Sequence, residues 1–431
     1  MVEQAFLQAN IPFTIKNKTI SDINPKNGWE IREVSGSFLL KHINTSFSKN
    51  LVCYSKRFHG LDFTVNANPS CCNGETKGYK FTISEITAFC FDTGTGIATL
   101  HIPYLHGVED DELINVCAAL RCSVDNVGDA NSCAIYRNDQ KTYLSCIAIE
   151  HLTSLLSDTF ELFGQFTETN SKRVDMFSAA LCDEQSLEND GIDADRMCYL
   201  IANTLDTRDK QFTPEGKTFY RQHDYRRWCF SKRGCCAVAN LTGNSSNDTF
   251  LSTRWLDSLK TNYFYIYIMV LHQKYAIYNY LNTIASDSEM NYVAFNQESL
   301  IEFNAKYIFA IVSDESFIQN AYMNMRSVNN VDEVYTDLVD EQKRMFEYSQ
   351  LKSNETNEIK ASRLNIISIV ISIICSLGMV VDTVDLFSSQ GYFLGFNTSG
   401  NIMCTIAVIV EVLVFTVCLI SVYLVSKNKK K

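Results

Sequence analysis

Apolar and polar positions along residues 30–150 follow a mainly strand-like pattern. The segments EVSGSFLLKHINTSF, YKFTISEITAFCFDTGTGIATLHIPYL and TYLSCIAIEHL are rich in β-branched and aromatic residues and are broken by Gly, Asn and Asp. Within the second, Ala88 to Ile102 predicts a hairpin turning at Asp92–Gly96. Gly94 and Gly96 are not followed by the helix that a phosphate-binding G-x-G-x-x-G needs, so no dinucleotide site is expected there. Helical patterns mix in from about residue 150. YFYIYIMVLHQKYAIYNYLNTIA, residues 263–285, is strongly apolar but carries His272 and Lys274, and it predicts a buried helix, not a membrane span.

Further along, Val331, Leu338 and Met345 stand seven apart, with Val334, Tyr335 and Tyr348 near intermediate positions, a helical stripe of the coiled-coil kind. Asp340 with Lys343 and Arg344 fits its exposed face. The stripe fades by Lys352 into the polar KSNETNE, which fits either a solvated hinge or helices splaying round a wet funnel. The expected order is an α/β cytoplasmic domain over 1–260, a helical layer over 261–327 and a stalk helix over 328–363.

Two apolar runs follow. Residues 364–381 hold no charge and 402–425 hold one acid, Glu411. Each is about the ~20 residues that a bilayer core requires, so a two-helix transmembrane hairpin is expected, with 382–401 as an external loop and 426–431 as a basic tail. Lys352, Lys360 and Arg363 precede the first run, and Lys427, Lys429, Lys430 and Lys431 follow the second, which places both termini in the cytoplasm of an integral inner- or plasma-membrane protein. In the first run Asn365, Ser368, Ser372, Cys375 with Ser376, and Met379 recur at steps of three or four and share one face. Such a face serves tight helix packing or lines a water-filled path.

The net charge of −11 argues against general nucleic-acid binding. None of the sixteen cysteines forms a paired C-x-x-C zinc arrangement, and the N-terminus shows no secretory pattern, so reduced core cysteines are expected. His101 and His106 have no third ligand in view and read as surface or core residues. One stretch, KTFYRQHDYRRWCFSKRG, breaks the acidic trend. Lys217, Arg221, Arg226, Arg227, Lys232 and Arg233 are interleaved with aromatics that include Trp228. Arginine with flat rings suits an anionic, base-bearing ligand, and the same mixture serves a subunit interface, a membrane-facing basic patch or a plain surface loop. No hydrolase, kinase or P-loop motif occurs, and no enzyme activity is expected.

The layout of a cytoplasmic domain, a long helix entering the first of two C-terminal spans, a short loop and a basic tail resembles the CorA-type magnesium transporter superfamily. That family's Gly-Met-Asn signature is matched by Gly378 and Met379, with Val380 in place of the Asn and Leu377 in place of the preceding aromatic. The resemblance implies a pentamer in the bilayer whose first span lines a pore, with Mg²⁺ or another divalent cation as cargo. Valine offers no side-chain carbonyl to a hydrated ion, while Asp382 and Asp385 just beyond would ring the mouth with charge. Some members are encoded with prokaryotic defence systems, type III CRISPR loci among them, where a small nucleotide messenger acts on the membrane protein. The expectation is therefore a ligand-controlled oligomeric channel that passes cations or permeabilises the membrane. The alternatives are a Mg²⁺ transporter and a membrane-anchored binding or scaffold protein without conductance.

Overall fold

The computed structural model describes residues 2–16, 20, 23–66, 78–103, 109–124, 133–157, 159–162, 174–183, 193–207, 218–286, 290–390, 392–393, 396–397, 409–410, 412–413 and 416. The chain divides into two compact units, Met1–Gln342 and Lys343–Lys431.

The first unit is built on one mixed sheet of twelve strands. Its centre is β1 (Val2–Ile15), which pairs antiparallel with β5 (Thr95–Ile102) on one side and with β9 (Asp175–Cys182) and β8 (Phe160–Leu162) on the other. Beyond β5 lie β4 (Gly78–Phe91), β3 (Leu51–Asn66) and the short β2 (Glu30–Arg32), β6 (Ile135–Arg137) and β7 (Gln140–Thr142). Beyond β9 lie β12 (Gly234–Asn240), β11 (Arg226–Ser231) and β10 (Phe219–His223). Every pairing is antiparallel except that of β12 with β9. Pro12 stands in the central strand without interrupting a ladder. The pairing with β9 reaches only to Asn10 and that with β8 starts at Phe13, so the missing N–H falls in the gap. The hairpin expected over 88–102 forms, with Asp92, Thr93 and Gly94 in the turn and Gly94 at φ +75°.

Strand alternation sorts the side chains into two cores. Leu7, Ala9, Ile11 and Phe13 of β1 join Ala98 and Leu100 of β5 and are covered by three helices, numbered in chain order α2 (Asp110–Arg121), α3 (Leu144–Leu156) and α4 (Ala194–Asn203). The opposite face presents Phe6, Phe89, Ile97 and Phe177 to α1 (Lys41–Asn50) and to a long helical run. That run comprises α5 (Ser245–Phe250), a π-turn at Leu251–Trp255, α6 (Leu256–Ser258), a second π-turn at Leu259–Tyr263, and α7 (Phe264–Ser286). After it come α8 (Met290–Tyr307), α9 (Ser316–Val328) and α10 (Val331–Gln390). Phe264 to Leu271 are all buried, as are His272 and Gln273, because α7 lies between the sheet and α9. The seven-residue stripe at the start of α10 is partly used in the same way. Val331 and Leu338 are 1% exposed within this core, and Arg326 on α9 is paired with Asp332. The eleven cysteines whose side chains are described form no disulfide, and eight of them are buried.

The second unit contains the remainder of α10 and a two-stranded ladder, β13 (Tyr392–Phe393) with β14 (Phe396–Asn397). Here the structure corrects the sequence reading. Among the described residues no helix is long and apolar enough to cross a membrane. The transmembrane hairpin expected at 364–381 and 402–425, the channel built on it and the integral-membrane placement with cytoplasmic termini are therefore not supported. The fold is a large mixed sheet with helices. The expected external loop is also shorter, since helix continues to Gln390. Glu411 and nearly all of 402–425 lie outside the described residues.

Candidate functional site

The sheet face beneath α7 carries polar residues in an otherwise apolar layer. Gln8 and Asn10 share that face of β1 with Phe6, Thr87 precedes Phe89 by two on β4, and Thr99 and His101 follow Ile97 on β5. Part of this stripe is self-contained. Thr99 Oγ1 donates to Asn10 Oδ1 at 2.7 Å, and Asn10 Nδ2 donates to the carbonyls of Gln8 and Asp175 at 2.9 and 3.1 Å.

The other part opens on a cavity of about 200 Å³ between the sheet and the start of α7. Its floor is Gln8, Thr87 and His101, and its apolar walls include Phe6, Phe89 and Phe264. Gln8 Nε2 lies 3.2 Å from His101 Nδ1, and Thr87 Oγ1 lies 2.8 Å from His101 Nε2. An amide nitrogen only donates, so Nδ1 accepts, the ring proton sits on Nε2, and that N–H donates to Thr87. Burial holds the His101 pKa down at about 3, with the charges of Arg32 and Lys260 pushing the same way. The ring is therefore neutral at pH 7. Gln8 is 3% exposed, and with its nitrogen committed to His101 its Oε1 has no partner among the described residues. A buried acceptor left unpaired costs about 1–3 kcal/mol.

Charge is confined to the mouth. Arg32 on β2 reaches Glu85 on β4 with Nη1 3.3 Å from Oε1. Lys260 is exposed, with its Nζ 5.3 Å from the centre of the Phe6 ring. The backbone places Lys260 there by an unusual turn. It lies in the second π-turn, and such turns widen a helix locally and recur at functional positions. Asn262 of the same turn holds the preceding loop, its Oδ1 accepting from Phe38 N at 3.1 Å. Gly36 permits this approach, since a Cβ there would lie 2.7 Å from Asn262 Oδ1.

Two further cavity residues bear on chemistry. Burial pushes the Cys53 thiol up to about 12, against the opposing pull of Arg32, so it remains protonated. Burial likewise raises the Tyr265 phenol. At neutral pH the cavity offers neither a thiolate nor an imidazolium. What it offers is recognition: a buried acceptor, flat apolar walls and a cationic mouth.

The residues singled out from sequence fall elsewhere. Arg221 and Arg227 both pair with Asp195 of α4, Arg227 Nε at 2.5 Å. Arg226 is buried, 5.5 and 5.7 Å from the Tyr225 and Phe250 rings. Trp228 is 2% exposed in the core, 4.6 Å from Tyr263, and its Nε1 donates to Gln222 Oε1. Lys232 and Arg233 are exposed in the β11–β12 turn, and Lys217 lies outside the described residues. The described part of the stretch is thus the edge strand β10 and its neighbour β11, whose alternate side chains point apart. Asp195 neutralises two of its arginines. Asp195→Asn should cost roughly 2–4 kcal/mol in urea unfolding, because the Arg227 side chain, 16% exposed, loses its counter-charge.

On α10, Asn365, Ser368 and Ser372 are exposed along one strip, with Ser372 Oγ donating to the Ser368 carbonyl at 2.8 Å, and Gly378 is exposed. Cys375, Ser376, Met379, Val380, Asp382 and Asp385 are helical in backbone, and their side chains lie outside those described. Among the described residues no group of three or more His, Cys, Asp or Glu could hold a metal ion such as the Mg²⁺ the resemblance implies. His101 proves to be a floor residue of the cavity, and His106 lies outside the described residues.

Comparison with family models, curated proteins and solved structures finds no match for this chain, and the CorA-type resemblance therefore rests on its quoted residues alone.

Proposed function

We propose that the unit Met1–Gln342 is a small-molecule-binding module whose ligand occupies the cavity beneath the second π-turn. The observation that carries this reading is Gln8 Oε1, a buried acceptor without a partner among the described residues in a residue that lines the cavity. An apolar pocket with a few convergent polar groups is the usual form of a ligand site. The ligand control expected of residues 217–234 moves on this reading to the cavity. The conduction expected of the C-terminal runs rested on the membrane hairpin corrected above and is not carried forward.

The test is a small-fragment panel scored by thermal shift and by isothermal titration. Ligands that bind only the folded state raise its melting temperature in proportion to occupancy. Cys53→Phe puts a ring into the cavity and should abolish the shifts that the wild-type chain shows. Fragments that bind the variant as tightly as the wild type would place their site elsewhere and sink the reading.

A further inference from the structure

We infer that the cavity selects a small heteroaromatic monocarboxylate bearing a ring N–H, an inference that rests on the binding reading above. Three observations set this class. First, the mouth holds two cations, Arg32 and Lys260, against one carboxylate, Glu85, which is already engaged with Arg32. His101, Cys53 and Tyr265 are neutral at pH 7, so one positive charge is left over, matched to a monoanion and not to a phosphate dianion. Lys260 is the cation without a described ion pair, and it stands at the rim beside Phe6. Second, the volume of about 200 Å³ is below the ~300 Å³ at which sites for drug-sized ligands begin, which favours one fused ring system over a nucleotide. Phe6, Phe89 and Phe264 give that ring apolar faces. Third, the orphaned Gln8 Oε1 needs a donor. Gln8 Nε2 faces His101 Nδ1 and His101 Nε2 faces Thr87 Oγ1, and with the ring proton on Nε2 the Gln8 oxygen is the atom left for the ligand. The ligand must bring the N–H.

The probes are indole-3-acetate, 1-benzothiophene-3-acetate, which keeps shape and charge but lacks the N–H, and 3-methylindole, which keeps the N–H but lacks the carboxylate. Isothermal titration with the full chain should rank indole-3-acetate tightest, with each analogue about tenfold weaker or more. Lys260→Gln should weaken indole-3-acetate by a similar factor and leave 3-methylindole unchanged. Lys260 is exposed, so this variant is expected to fold, and the wild-type ranking stands as a test without it. Equal affinity for indole-3-acetate and either analogue overturns the proposal, as does a Lys260→Gln chain that binds indole-3-acetate like the wild type. If none of the three probes binds but other fragments give shifts that Cys53→Phe removes, the ligand class is wrong and the cavity reading stands. If no fragment gives such a shift, the cavity reading itself has failed and this inference falls with it.

Discussion

Acidification from pH 6.5 to 4.5 is expected to remove about 3–5 kcal/mol from the stability of the Met1–Gln342 unit, much of what a typical domain possesses. The cause is two histidines kept neutral by the fold. His272 is fully buried, stacked on Phe91 at 3.8 Å and edge-on to Tyr307 at 4.3 Å, and its Nε2 lies 2.9 Å from Thr93 Oγ1. Its Nδ1 has no partner among the described residues. The nearby carboxylate of Asp92 is already taken by Lys306 at 2.6 Å and by the Tyr307 hydroxyl, so an incoming proton finds no ready counter-charge. Burial lowers the His272 pKa from 6.5 to about 3, as it does for His101. The folded-state values lie below those of the unfolded chain, so the unfolded chain takes up these protons first. The contribution is complete above about pH 6.5 and is lost as pH falls towards 3, at up to ~1.4 kcal/mol per pH unit per histidine. His101 borders the cavity, so its share is the smaller. Urea midpoints measured between pH 4.5 and 7 should fall steeply for the wild type and about half as steeply for His272→Gln. A midpoint that stays flat over this range would show that neither ring is held neutral by the fold.

Phe264→Ala is the substitution expected to cost most, about 3–5 kcal/mol in urea unfolding. The ring is 1% exposed and packs against Phe177 at 5.5 Å and against Phe89 and His101 at 6.0 Å each, so it joins the sheet to α7 and closes one wall of the cavity. Its removal merges the new void with the existing one, and the pocket fills with water instead of collapsing. A loss below about 1 kcal/mol would mean that α7 does not pack here as described.

Sequence reading reached the strands of 78–102 and the buried helix at 263–285 because those signals are local: β-branched and aromatic runs, a turn with Gly94, and an apolar run interrupted by His272. At 217–234 composition does not say where side chains point. On a strand, Trp228 and Phe230 turn into the core while Arg227 turns towards Asp195, more than thirty residues away in sequence. The apolar runs at the C-terminus are read by length and hydropathy, whereas among the described residues no helix is long and apolar enough to cross a membrane. The cavity was not legible because its parts come from β1, β2, β3, β4, β5, a π-turn and the start of α7, and nothing in the chain announces that they meet. One trace was present. Gln8 and Asn10 interrupt the apolar face of β1 at alternate positions, and Thr99 and His101 do the same on β5, directly opposite in the ladder. Polar residues at matching positions on two central strands are a signature that a scan for catalytic motifs passes over.

The central position of β1 has a kinetic consequence. Ala9 stands opposite Leu100 on one flank and Met176 on the other, so the first strand of the sheet is completed only by partners roughly 90 and 170 residues along the chain. Closing such long loops costs entropy before any ladder rewards it, and sheets assembled from distant segments fold slowly. Until β9 arrives, β1 presents an unpaired edge bearing Leu7, Ala9 and Ile11, the kind of surface that recruits other chains. Refolding yield should accordingly fall as protein concentration rises, with aggregation competing at the step where β9 docks.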